Sequence, residues 1–126
     1  MATSERARIL FIEDDAAIAA MYRLKLEAEG YLVDVADNGE AGLEQATAAA
    51  PPALVFLDLR LPRKDGLAVL SEMRKLAPTL PVVVLSNHSD PDMMDRTLAL
   101  GANEYLVKSG VVPSELVKVV QRYVPA

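Results

Sequence analysis

The chain has 126 residues, a hydrophobic fraction of 52% with only 5% aromatic residues, and a net charge of −5. That length suits one domain with an aliphatic core, and the acidic balance argues against a nucleic-acid surface, which needs a basic patch. With no cysteine, disulfides, thiolate metal ligation and thiol chemistry are excluded. The segment from Met1 to Arg8 has no apolar core of the signal-peptide kind and no run reaches membrane-spanning length, so a cytoplasmic protein without membrane contact is expected.

Strand and helix patterns then alternate five times. Arg8–Ile12 reads as a strand and runs into Glu13-Asp14-Asp15. Residues 16–29 are rich in Ala and Leu, with Ile18, Met21 and Tyr22 at helical spacing, and Gly30 is a stop. Residues 31–36 read as a short strand. Asn38-Gly39 turns into a helix over residues 40–50, ended by Pro51-Pro52. A third strand over residues 53–57 meets Asp58, and residues 59–66 form a polar loop punctuated by Pro62 and Gly66. Residues 67–76 are helical. The strand from Pro81 meets Ser86, and Asp90-Pro91 starts a helix with proline in its first turn, which Gly101 ends. Glu104–Val107 is a strand that meets Lys108. The last helix is Pro113–Tyr123, with Leu116, Val120 and Tyr123 on one face.

Continuous apolar runs of this kind read as strands buried on both faces, hence a parallel sheet between helical layers. In such sheets ligands bind beyond the carboxyl ends of the strands. Glu13, Asp14, Asp58, Ser86 and Lys108 all fall there. Acids crowded in one cleft call for a hard divalent cation, and an all-oxygen donor set suits Mg²⁺. Asp15 is expected to cap the helix that follows it.

Four pieces in order resemble the receiver domain of two-component response regulators: Ile-Leu-Phe-Ile-Glu-Asp-Asp at 9–15, Leu-Asp-Leu-Arg-Leu-Pro at 57–62 with Gly66, Val-Leu-Ser at 84–86, and Gly-Ala-Asn-Glu-Tyr-Leu-Val-Lys at 101–108. The resemblance spans essentially the whole chain, so residues 1–126 are expected to form one receiver domain. It implies an α/β, flavodoxin-like three-layer sandwich, doubly wound, with five parallel strands in order 2-1-3-4-5. It further implies that Asp58 is a phosphoacceptor served by a histidine kinase or a histidine phosphotransfer protein. Mg²⁺ would be held by Glu13, Asp14, Asp58 and the main-chain carbonyl of Arg60. Ser86 and Lys108 would bind the phosphoryl oxygens and Tyr105 would be the aromatic of the switch. The fourth helix, fifth strand and fifth helix would face a downstream effector with Met93, Met94, Tyr105, Val111 and Val112. Such a domain transfers a phosphoryl group to itself and is not a turnover enzyme.

Three residues depart from the family pattern. Ser109 stands where proline usually follows the lysine across a cis bond, which a serine adopts only at about 2.5–4 kcal/mol, so a trans bond and a displaced lysine are expected. Asn87 takes the place of a small residue beside the acceptor, and His88 could join Arg60 at the phosphate's rim. The last helix lacks a mid-helix arginine found in symmetric dimers of winged-helix regulators, which favours a monomer or weak dimer. A flavodoxin-like electron carrier is disfavoured by Glu13-Asp14-Asp15, which would repel the cofactor's phosphate. An aspartate-nucleophile phosphohydrolase wants an acid where Arg60 stands. The remaining alternative is a receiver-like module that binds partners without phosphorylation.

Overall fold

Alternation along each strand dictates the layering. On β1 (Arg8–Ile12), Ile9 and Phe11 enter one buried cluster while Leu10 and Ile12 enter another, as the two-residue period of a strand requires. A strand apolar at every position is therefore stable only with helices on both faces. The computed structural model describes residues 6–61, 65–87 and 90–124, and its remaining elements are α1 (Ala16–Ala28), β2 (Leu32–Ala36), α2 (Gly39–Ala46), β3 (Leu54–Asp58), α3 (Gly66–Leu76), β4 (Val82–Ser86), α4 (Pro91–Ala99), β5 (Glu104–Val107) and α5 (Pro113–Tyr123).

All pairings are parallel and the order is β2-β1-β3-β4-β5, as expected from the resemblance. α1 and α5 cover one face through Tyr22, Leu26, Leu116 and Val120. α2 and α3 cover the other through Ala46, Val69, Leu70 and Met73. Each such large side chain, when fully buried, contributes about 1.5–3 kcal/mol, so the two clusters hold the sheet rigidly under its carboxyl rim.

Three expectations need correction. The fifth strand is half-buried at every position, because it lies at the sheet edge and has a neighbour on one side alone. Met21 is 46% exposed, and α1 buries Ala19, Tyr22 and Leu26 instead; the stripe facing Phe11 and α5 is rotated from the one that apolar spacing suggested. The second helix ends at Ala46 rather than near residue 50. There the Thr47 hydroxyl donates to the Leu43 carbonyl at 2.8 Å, a local bond that competes with helix propagation.

Two glycines fix the loops. A Cβ on Gly66 would overlap the backbone of Leu59, so glycine lets α3 start against the loop leaving β3, and its amide donates to the Leu59 carbonyl at 3.2 Å. Gly101 has φ +114°, which side chains disfavour. Its carbonyl accepts from Arg74 at 2.7 Å, and the same guanidinium reaches the carbonyls of Ala77, Pro78 and Leu80 at 2.8–3.0 Å. Arg74 thereby ties the end of α3 to the turn after α4.

Candidate functional site

Register assembles the site. Ile12 pairs with Leu57, Asp58 with Leu85 and Ser86 with Val107, so the residues that end or follow β1, β3, β4 and β5 stand at one rim. Glu13 is 4% exposed, Asp58 6% and Ser86 0%, buried polar groups in an otherwise apolar interior. Asp14 projects to solvent.

One ammonium organises the acids. Lys108 Nζ lies 2.6 Å from Glu13 Oε1 and 3.0 Å from Asp58 Oδ2. Asp58 Oδ1 accepts from the Arg60 amide at 3.0 Å, and Glu13 Oε2 from the Asp15 amide at 3.1 Å. A buried charge is tolerated only when it is paired in this way. Burial pushes the Glu13 carboxyl above its usual range although Lys108 opposes the shift, and the nearby Asp58 charge adds to it. Burial works to lower Lys108, yet the bonds and charges of Glu13 and Asp58 outweigh it and hold the ammonium above its ordinary value.

The Lys108–Ser109 bond is trans, with a single 3₁₀ turn over Lys108–Gly110. The lysine nevertheless reaches both carboxylates, so the expected displacement does not keep it from the site. Asp15 caps α1 as expected, its Oδ1 accepting from Ala17 and Ile18 amides at 3.0 and 3.1 Å.

Glu13, Asp14 and Asp58 each offer an oxygen, and the three lie within 4.8 Å of one another. Asn87 is exposed and lines a cavity with Lys108. Arg60 is exposed, two residues beyond Asp58, and Tyr105 is half-buried on β5, its ring against the cluster on the α2–α3 face. His88 lies outside the described residues. Two features escaped the sequence reading. Tyr22 shares the cavity beside Lys108, signalled by a lone phenol within an aliphatic helix stripe. Glu104 on β5 accepts from Tyr123 Oη at 2.6 Å and from Arg122 at 2.7 Å, a pairing that spans the sheet edge and has no local signature.

Among the described residues, no helix is long and apolar enough to cross a membrane. Residues 9–121 match the family model of the response regulator receiver domain. The uncharacterized transcriptional regulatory protein YkoG of Bacillus subtilis is 42% identical over 105 residues, which is 82% of this chain and 45% of that protein. The alginate biosynthesis transcriptional regulatory protein AlgB of Pseudomonas syringae pv. tomato is 41% identical over 107 residues, 85% of this chain and 24% of its own length. The chain thus spans less than half the length of these relatives. A CheY-like response regulator receiver domain protein from Methanospirillum hungatei superposes with a TM-score of 0.86 at 28% identity, over 94% of this chain and 93% of the other. Strand order, acidic rim and family match agree, and the chain belongs to the response regulator receiver family, the phosphoacceptor partner in two-component signalling.

Proposed function

We propose that Asp58 is the phosphoacceptor, within a single receiver unit that receives its phosphoryl group from a phosphohistidine of a histidine kinase or histidine phosphotransfer protein. An Asp58 carboxylate oxygen attacks phosphorus, the P–N bond breaks, and its electron pair leaves with the imidazole, so that an acyl phosphate forms. The observation that carries this reading is the Lys108 ammonium set between Asp58 and Glu13. It holds a positive charge where phosphoryl oxygens would arrive, and a lysine acts there as a point charge. Ser86, at the end of the neighbouring strand, would donate its hydroxyl to the same group, with Asn87 and Arg60 around its open side.

The donor set fits a hard divalent cation, since the three clustered groups are all carboxylates. Mg²⁺ would be held by Glu13, Asp14, Asp58 and the main-chain carbonyl of Arg60. When bound it supplies charge neutralisation between an anionic nucleophile and an anionic donor. Output would pass through the face formed by α4, β5 and α5, where Val112 is 52% exposed, with Tyr105 as the aromatic that responds to Ser86. The domain acts on itself, with slow hydrolysis, in the cytoplasm.

Incubation with acetyl phosphate and Mg²⁺, read by intact mass, is the test. One added phosphoryl group is expected on the parent and none on Asp58→Asn. Modification persisting in that variant would remove Asp58 from the role.

A further inference from the structure

One polar group on a nearly buried side chain has no part in the acceptor chemistry above: the hydroxyl of Tyr22. In α1 the buried residues beside it are Ala19 and Leu26, and Tyr22 itself is 2% exposed. Its ring lies nearly parallel to Phe11 with centroids 5.7 Å apart, and Phe11 stacks in turn on Phe56 at 4.7 Å. These two phenylalanines sit on β1 and β3, the strands that deliver Glu13 and Asp58. A phenylalanine would satisfy that stack, so packing does not account for the oxygen.

Tyr22 borders a cavity of about 310 Å³ between α1 and the turn after β5, lined also by Ile18, Met21, Asn87, Lys108 and Val111. Lys108 has three N–H donors. Two are directed at Glu13 and Asp58, and Lys108 is one of the residues that line this cavity. Burial pushes the Tyr22 phenol above its ordinary value, Lys108 pulls it down and Glu13 pushes it up, so both charges of the ion pair act on the hydroxyl.

We propose that Tyr22 is a positioning residue for Lys108: its hydroxyl oxygen accepts the third ammonium proton across one water in the cavity, and fixes the lysine for the incoming phosphoryl oxygen. On phosphorylation Lys108 must exchange its contact with Asp58 Oδ2 for a phosphoryl oxygen, and the phenol is an anchor that persists through the exchange. This role rests on Asp58 being the acceptor.

The test compares Tyr22→Phe, which keeps the ring, with Tyr22→Leu, which removes it. Three readouts are the initial rate of modification by acetyl phosphate at saturating Mg²⁺, the Tm, and the Lys108 ammonium resonance in an ¹⁵N-edited NMR spectrum of the unphosphorylated protein. Tyr22→Phe is expected to keep the parent Tm and Mg²⁺ affinity and yet to be modified roughly three- to tenfold more slowly, the scale of one hydrogen bond to a charged group on a partly wetted wall. Its ammonium resonance is expected to broaden through faster proton exchange. Tyr22→Leu is expected to lose Tm as well. Parent-like rate and resonance in Tyr22→Phe would overturn the proposal, and so would weakened Mg²⁺ binding, which would place the hydroxyl's effect on the acids instead. An unmodified parent would overturn the acceptor reading, and the resonance would still decide the role of Tyr22.

Discussion

Glu13, Asp14 and Asp15 are consecutive acids with three different surroundings. Glu13 is buried on Lys108, Asp14 is exposed, and Asp15 accepts two amides of α1. Asp15→Ala is therefore expected to cost about 0.5–2 kcal/mol of stability, the range for losing an N-cap, and to leave Mg²⁺ affinity nearly intact. Glu13→Ala or Asp14→Ala is expected to lose most of that affinity. Thermal melts beside Mg²⁺ titrations of the three variants separate these outcomes; metal loss confined to Asp15→Ala would mean the acidic turn is misassigned by a residue or two. Asn87 stands exposed one residue past Ser86, and on the proposed reading its amide would obstruct the water that hydrolyses the acyl phosphate. Asn87→Ala is expected to speed both phosphorylation by acetyl phosphate and decay, and an unaltered decay rate would show that this side chain does not gate water.

Glu104, Arg122 and Tyr123 bind the last helix to the edge strand. Burial, followed by the bond to Glu104 and its charge, pushes the Tyr123 phenol up from 10.0 to about 12. A group whose folded value is raised stabilises fully below its unfolded value and loses that contribution as pH rises through the folded one. Tyr123→Phe is thus expected to be less stable than the parent by about 1 kcal/mol at neutral pH, with the gap closing from pH 10.0 to about 12. Urea melts of both proteins across that interval measure it, and a gap that stays constant would detach the phenol from Glu104. This contact shows what a linear reading misses: residues 104 and 123 meet only because β5 lies at the sheet edge beneath α5. Helix phase escapes for a similar reason. Ile18, Met21 and Tyr22 form an apolar stripe on α1, but the surface the helix docks against, Phe11 and α5, selects Ala19, Tyr22 and Leu26.

At the scale of the whole molecule, the acidic rim was legible because β1, β3 and β4 are nearly continuous apolar runs that stop at Glu13, Asp58 and Ser86, while the strand order came from the family resemblance. Asp58 and Lys108 are 50 residues apart and still meet at 3.0 Å, since a parallel sheet brings every carboxyl end to one side. The cavity beside Lys108 was not legible, because its walls come from α1, the end of β4 and the turn after β5. The loop leaving β3 depends on the whole assembly as well. Gly66→Ala would drive a methyl group into Leu59 backbone, so it is expected to lower the Tm and to slow modification of Asp58 together. A variant with parental stability and rate would mean that this loop yields freely.

Three carboxylates converge on one rim with a single ammonium among them, so the native state without a divalent cation holds uncompensated negative charge that the unfolded chain disperses. The arrangement is therefore expected to weaken the fold, a trade of stability for activity common at functional sites. Asp14→Asn removes one of those charges from an exposed position. In EDTA the variant is expected to melt above the parent, and on adding Mg²⁺ the order should reverse as the parent gains the stabilisation that a bound ligand confers. In calorimetric terms, the acidic rim would be a store of electrostatic repulsion that a bound cation releases, so the domain is expected to be most stable when it is ready to react.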